Sequence, residues 1–318
     1  MPVAPASGSN TAPRGRADLR GANTAPKGEA GLRGAVLGHP IGHSRSPALH
    51  NAAYARLGLS YLYSAIDTEV SDLEPLLARV RAERNWYGLS VTMPLKTAVL
   101  PLLDAVDPAA ARLGAVNTVV VDRSDPGRQR LVGHNTDVAG IVNALRVAGI
   151  GRAPRSAVLG GGGTAVSAVA ALKELGAPAA DIFIRGVGSP QRSGTVQALD
   201  AGAAVGLDCQ VRRWEGAAAA LSSYDVVIST LPPRAADPLA GLVPPSSLVG
   251  KLLLDVAYDP WPSALAARWQ GSGGTIVPGI EMLLYQGVEQ VRLFTDEHVL
   301  ITADVINVMC DALGVARR

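Results

Sequence analysis

At 318 residues, 48% of them hydrophobic, the chain is longer than one ordinary domain and carries the material for two cores. A net charge of +2 with 18% charged residues excludes the strong field that nucleic acid or an anionic membrane would require, and leaves a small neutral or anionic ligand. No apolar run nears the ~18 residues of a membrane span and no apolar block marks a secretory signal; Cys209 and Cys310 stand far apart without histidine spacing, so no disulfide framework and no metal site are expected, and a cytoplasmic setting is.

Residues 1–34 are rich in Gly, Pro, Ala and Arg and poor in large apolar side chains, which predicts a disordered tail. Within it, residues 10–22 are nearly repeated as 23–35, a tandem duplication too short for a solenoid; an inert tail and a transit or docking arm both fit. From Gly34 onward, short β-rich runs alternate with helical patterns, which predicts α/β units around largely parallel sheets. Strands are expected at 35–37, 61–66, 87–91, 115–121 and 131–133. The last two form a hairpin across Ser124-Asp125-Pro126-Gly127. A second series is expected at 157–159, 182–184, 226–229, 252–256 and 275–277, the pattern of a nucleotide-binding α/β domain. A closing helix from about Thr302 places Val305, Val308, Met309, Ala312 and Leu313 on one stripe before Gly314.

The strand at 157–159 runs into Gly160, Gly161, Gly162, Gly163, Thr164 and Ala165, a G-x-G-x-x-A turn before a helix expected at 167–175. Such a turn lets backbone N–H groups at a helix N-terminus approach a pyrophosphate. At the end of the next strand, where an acid would bond the ribose of NAD, the chain reads Ile184-Arg185-Gly186, and Asp181 lies at the strand's beginning. Arg185, with Arg192 as either a second phosphate contact or a surface charge, therefore favours NADP.

Three polar clusters sit at strand ends in the N-terminal half: residues 38–51 (GHPIGHSRSPALHN), 88–96 (GLSVTMPLK) and 114–118 with 133–140 (GAVNT, GHNTDVAG). Hydroxyls, amides, one lysine and one carboxylate suit a small polyhydroxylated acid whose oxygens need partners once desolvated. With residues 225–230 (DVVIST), 255–260 (DVAYDP) and 279–286 (GIEMLLYQ), these strings resemble the shikimate dehydrogenase signatures, in order and at family spacing, over nearly everything after residue 34.

The resemblance implies two α/β domains with the active site in the cleft between them. Residues 35–136, completed by C-terminal helices at 283–318, would bind the substrate, and residues 137–282 would form a Rossmann-like NADP domain. Lys96 and Asp137 would be the catalytic pair. Ser44 and Ser46 would hold a carboxylate, Ser90, Thr92, Asn117, Asp137 and Gln286 would line the ring hydroxyls, and Tyr258 would border the pocket. Thr230, Gly279 and Met282 would join the glycine turn around the cofactor. The implied reaction is NADPH-dependent, reversible reduction of 3-dehydroshikimate to shikimate, in a monomer or homodimer. Two rivals are a quinate/shikimate dehydrogenase using NAD and an idle NADP-binding regulatory module. Read locally, Thr92 and Asn117 also fit turn or cap residues and Gln286 a helix-end amide. His43 and His50 are expected to be local hydrogen-bonding partners. The chain departs from the family pattern at Ser90, where asparagine is usual, at Val166, where arginine is common, and in the extra residues after Arg185.

Overall fold

Two series of short apolar runs build two six-stranded sheets in the computed structural model, which describes residues 31–125, 127–185, 193–243, 247–295 and 299–318. Gly31–Arg318 forms one compact unit. Residues 1–30, and with them the duplicated tail, lie outside the described residues, as do Arg192 and the extra residues 186–190.

The first sheet comprises β1 (Leu32–Gly38), β2 (Tyr61–Asp67), β3 (Trp86–Val91), β4 (Ala105–Val106), β5 (Thr118–Asp125) and β6 (Arg128–His134), in the order β2-β1-β3-β5-β6-β4. It is mixed rather than largely parallel, because the hairpin turn after β5 forces β5 and β6 to run antiparallel and β5 also pairs antiparallel with β3. β1 starts at Leu32, before the expected Ala35, and so includes residues 32–34 of the expected tail. Alternation along each strand splits the apolar residues between two cores. Ala35, Leu37, Leu89, Val91, Val119 and Val121 face one side; Val36, Tyr63 and Val120 face the other.

The second sheet comprises β7 (Ser156–Leu159), β8 (Ala179–Ile184), β9 (Asp208–Arg213), β10 (Val226–Ser229), β11 (Leu252–Asp255) and β12 (Thr275–Pro278), all parallel. Its order, β12-β11-β10-β7-β8-β9, is the doubly wound order with its switch point between β7 and β10. β7, β10 and β11 are wholly buried, as expected of apolar strands covered on both faces. β9 reads Asp-Cys-Gln-Val-Arg-Arg, a polar edge strand in which only Cys209 and Val211 alternate toward the core, too short an apolar pattern to be predicted, as is the two-residue β4. The helix after the glycine turn starts at Gly163, four residues before the expected Ser167.

The chain crosses between the sheets at the Asp137–Val147 helix, and the Gly279–Phe294 helix packs along it. Gly140 makes this contact possible: a Cβ there would lie 2.9 Å from both Gln286 Cβ and the Met282 carbonyl oxygen. Beyond it, Leu284, Val288, Val291 and Phe294 cover the Val36 face of the first sheet, and the Ala303–Leu313 helix packs on the Ser46–Leu57 helix. In this closing helix Val305, Met309 and Leu313 are buried as expected, whereas Val308 and Ala312 are only half-buried and Cys310 is buried instead. Gly314 ends it at φ +72°.

The return of this C-terminal segment predicts a specific weakness. A Cβ on Gly88 in β3 would meet the Phe294 ring at 2.3 Å and the Val119 carbonyl oxygen at 2.9 Å. Gly88→Ala is expected to cost about 1–3 kcal/mol by overpacking, measured as a lower denaturant midpoint at unchanged slope.

Candidate active site

The strand ends of the first sheet are tied to one another by backbone bonds that display side chains at one rim. Thr92 N–H donates to the Leu37 carbonyl at 2.8 Å, Val91 N–H to Asn117 at 2.7 Å and Asn117 N–H to His134 at 3.1 Å. Lys96 follows β3 on the single-turn helix Leu95–Ala98, and Asp137 opens its helix just after β6. Although 41 positions apart, Lys96 Nζ and Asp137 Oδ2 meet at 2.5 Å. Their side chains are 13% and 6% exposed, so the contact is shielded from bulk water. Lys96 Nζ also donates to Thr164 Oγ1 at 3.2 Å, across to the glycine turn of the second sheet.

These groups line a cleft of about 250 Å³ together with Ser44, Ser46, Ser90, Thr92, Asn117 and Gln286. Thr230, Tyr258, Gly279 and Met282 complete the far wall. The Ser44 hydroxyl accepts from Ser46 N–H at 3.3 Å, which fixes the two serines side by side. Burial pushes the Tyr258 phenol up, so it remains a neutral donor at pH 7. Gly279 allows the Gly279–Phe294 helix to begin against the cleft, since a Cβ there would lie 2.1 Å from the Val256 carbonyl oxygen.

Polar contacts behind the rim run in one sense. Asn117 Oδ1 takes the Thr136 backbone N–H at 2.7 Å, so Asn117 Nδ2 must face Asp137 Oδ1, at 2.8 Å. Gln286 Oε1 receives weaker bonds from Asn117 Nδ2 and Thr136 Oγ1, both 3.4 Å, while its Nε2 donates to the Leu283 carbonyl at 3.1 Å. Ser90 bonds away from the cleft as well as lining it: its hydroxyl donates to Gln290 Oε1 at 2.8 Å.

The glycine turn sits at the switch point of the second sheet. Gly160 adopts φ +109°, with Thr230 Oγ1 2.7 Å from where a Cβ would stand, so only glycine fits. Gly162 caps the following helix with no side chain bonded to its free N–H groups and open space beside it. Gly161 and Gly163 flank it. Ala165 is fully buried and packs that helix onto the sheet, so its side chain faces the core. These features fit a pyrophosphate at a helix N-terminus. Arg185, at the end of β8, lies outside the cleft; its guanidinium stacks 4.8 Å over the Trp214 ring and donates to the Ala235 carbonyl. Asp181 is occupied at the sheet edge by Arg212 Nε at 3.0 Å and the Tyr224 hydroxyl at 2.5 Å.

His43 lines the cleft, whereas His50 is fully buried, and burial drives its pKa down to about 3. His50 therefore stays neutral, as a structural partner should. Gln290 and Tyr63 lie outside the polar motif strings, whereas Thr118 and Thr136 stand within them without an expected role. Gln290 stands four positions after Gln286 on one helix, a spacing that places two amides on the same face and could have found it.

The family model for the shikimate dehydrogenase substrate binding domain matches residues 36–119. The shikimate dehydrogenase (NADP(+)) of Moorella thermoacetica is 35% identical over 289 residues, covering 89% of this chain and 94% of that protein. Among solved structures, the shikimate dehydrogenase of Mycobacterium tuberculosis superposes with a TM-score of 0.76 at 34% identity, covering 89% of this chain and 99% of that one. The Thermus thermophilus shikimate 5-dehydrogenase, solved in complex with NADP(H) and shikimate, gives 0.71 at 32% identity, covering 89% and 98%. Similarity of this extent, spanning both sheets and the cleft between them, shows that the chain belongs to the shikimate dehydrogenase family.

Proposed function

We propose that this protein catalyses the reversible, NADPH-dependent reduction of 3-dehydroshikimate to shikimate. The observation that carries the reading is the shielded Lys96–Asp137 contact in a cleft walled by hydroxyls and amides on one side and by a dinucleotide-type glycine turn on the other. Residues 35–136, with 283–318, form the substrate side and residues 137–282 the cofactor side. One chain supplies every side chain of this cleft, which fits a working monomer or a homodimer. No helix among the described residues is long and apolar enough to cross a membrane, and a cytoplasmic location fits the reading.

When bound, NADPH supplies the hydride for the ring carbonyl carbon. Lys96 donates a hydrogen bond, then a proton, to the carbonyl oxygen as negative charge develops there. Asp137 holds the ammonium through Oδ2 and is itself held by Asn117, so the donor needs no reorganisation as the charge appears. Ser44 and Ser46 take the carboxylate, while Ser90, Thr92, Asn117 and Gln286 take ring hydroxyls and Tyr258 closes the pocket. The glycine turn from Gly160 to Gly163, with Thr164 and Ala165, would seat the pyrophosphate, and Thr230, Gly279 and Met282 would border the nicotinamide. Arg185 would exchange the Ala235 carbonyl for the 2′-phosphate. Retention of Lys96 and Asp137 in contact argues against an idle regulatory module. The lack of an acid after Ile184 argues against an NAD-dependent quinate enzyme.

An absorbance assay crossing shikimate and quinate with NADP and NAD tests the reading. The expected result is a kcat/KM for shikimate exceeding that for quinate by roughly tenfold or more, with NADP preferred; equal efficiencies would transfer the assignment to the dual-specificity enzyme.

Lys96→Ala is expected to lower kcat by about 10²-fold or more with little change in substrate KM, because its interaction strengthens chiefly in the transition state. Asp137→Ala should impair both constants, and the double variant should fall short of the product of the two. A Lys96→Ala enzyme with normal kcat and weakened binding would reduce the lysine to a substrate clamp.

Arg185→Ala should raise KM for NADP roughly tenfold or more while changing KM for NAD far less, since a charge-assisted phosphate contact is lost. Equal rises for both cofactors would remove Arg185 from the site.

A further inference from the structure

Ser90 stands where the family pattern has an amide, and its surroundings dictate what it can offer a ligand. Two neighbouring groups have an invariant hydrogen-bonding sense: the Thr136 backbone N–H and the Asn117 backbone carbonyl. The first fixes Asn117 Oδ1 as an acceptor, and the Thr118 hydroxyl donates to the same oxygen at 2.8 Å. With its proton committed, Thr118 Oγ1 accepts Gln290 Nε2 at 2.9 Å; the Asn117 carbonyl, 3.4 Å from Nε2, independently requires a donor there. Gln290 Oε1 therefore points the other way, at Ser90 Oγ. Strand register supports this bridge, because Ser90 in β3 lies directly opposite Thr118 in β5 and one carboxamide spans both.

An amide oxygen only accepts, so Ser90 must spend its one proton on Gln290. The Tyr63 hydroxyl then donates to Ser90. His50, neutral at this depth, presents Nε2–H to Gln290 Oε1 at 3.1 Å and stacks on Tyr63 with ring centroids 4.1 Å apart. Ser90 is left with one lone pair and lines the cleft.

We propose that Gln290 and Tyr63 are positioning residues that make Ser90 an acceptor-only, specificity-determining contact, one that takes a substrate group able to donate a hydrogen bond and gives nothing to a carbonyl or ether oxygen. This deepens, and rests on, the reading of the cleft as a shikimate site. It divides the labour within the pocket: Lys96 donates to the oxygen that alternates between ketone and alcohol, and Ser90 receives a ring hydroxyl that stays an alcohol throughout. A substrate turned so that its ketone met Ser90 would place two acceptors together.

The test compares shikimate with analogues in which each of the two non-reacting ring hydroxyls is replaced by fluorine or by hydrogen. Fluorine can accept weakly but cannot donate. At the position that meets Ser90, the unaltered protein should bind the fluoro and deoxy analogues equally poorly, with KM raised roughly 3- to 10-fold and kcat little changed. Gln290→Met frees the Ser90 proton, so the fluoro analogue should then outperform the deoxy one. Tyr63→Phe should raise KM for shikimate a few-fold yet leave the fluoro-to-deoxy ratio unchanged, because the proton stays on Gln290. A merely structural role would move all three compounds together. The proposal is overturned if the fluoro analogues match shikimate in the unaltered protein, or if Gln290→Met shifts hydroxyl, fluoro and deoxy compounds by one common factor. The comparison within the unaltered protein decides the point even if a variant fails to fold. Absence of any shikimate turnover would instead strike the function beneath it.

Discussion

The polar side of the cleft depends on one buried amide. Asn117 is 3% exposed, and the Thr136 backbone N–H that meets its oxygen can only donate. Reversing the side chain would set two donors together and leave a buried carboxylate oxygen facing an acceptor. Each such unsatisfied group costs about 1–3 kcal/mol. Asn117 is thereby locked with its amide nitrogen on Asp137 Oδ1, which leaves Oδ2 for Lys96. The same lock propagates outward through Thr118 and Gln290 to Ser90. The Lys96 ammonium and the Ser90 hydroxyl are thus oriented before any ligand arrives, which is what electrostatic preorganisation requires.

That lock works only because two backbones approach more closely than side chains would permit. Gly140 lets the Gly279–Phe294 helix lie against the Asp137–Val147 helix, and so brings Gln286 and Gln290 to the strand ends of the first sheet. Gly279 seats the start of that helix on Val256, where β11 ends beside the switch point of the second sheet. The C-terminal segment therefore belongs to both halves: it begins at the cofactor side and ends as a layer over β3, with Phe294 on Gly88. A second link is apolar: Leu113 and Ala115 of the first half are buried against Val166, Ala170 and Ala201 of the second.

Much of this was legible from residue order. The apolar triads that open Val226–Ser229 and Leu252–Asp255 announced a buried parallel sheet, and the glycine turn after β7 announced a dinucleotide-type helix start. The polar strings at strand ends marked which side chains gather at the rim. Edges were less legible: β9 is polar because one of its sides has no neighbour, and β1 gains Leu32 to Gly34 by pairing with β2 and β3, which no local pattern reports. The antiparallel character of the first sheet arose from a single hairpin whose consequences for β3 are long-range.

The sequence by itself determined the fold class, the family motifs and the identity of the groups in the cleft, because periodicity and turn chemistry are local and a motif string survives without knowledge of its neighbours. Tertiary structure alone decided who touches whom: that Lys96 reaches Asp137 across 41 positions, that Gln290 bridges Ser90 and Thr118, and that Arg185 leans on Trp214. It alone also decided the direction of each bond. A hydroxyl or carboxamide can donate or accept, and which it does is set by the nearest group without that freedom, here a backbone N–H on one strand end and a carbonyl on another.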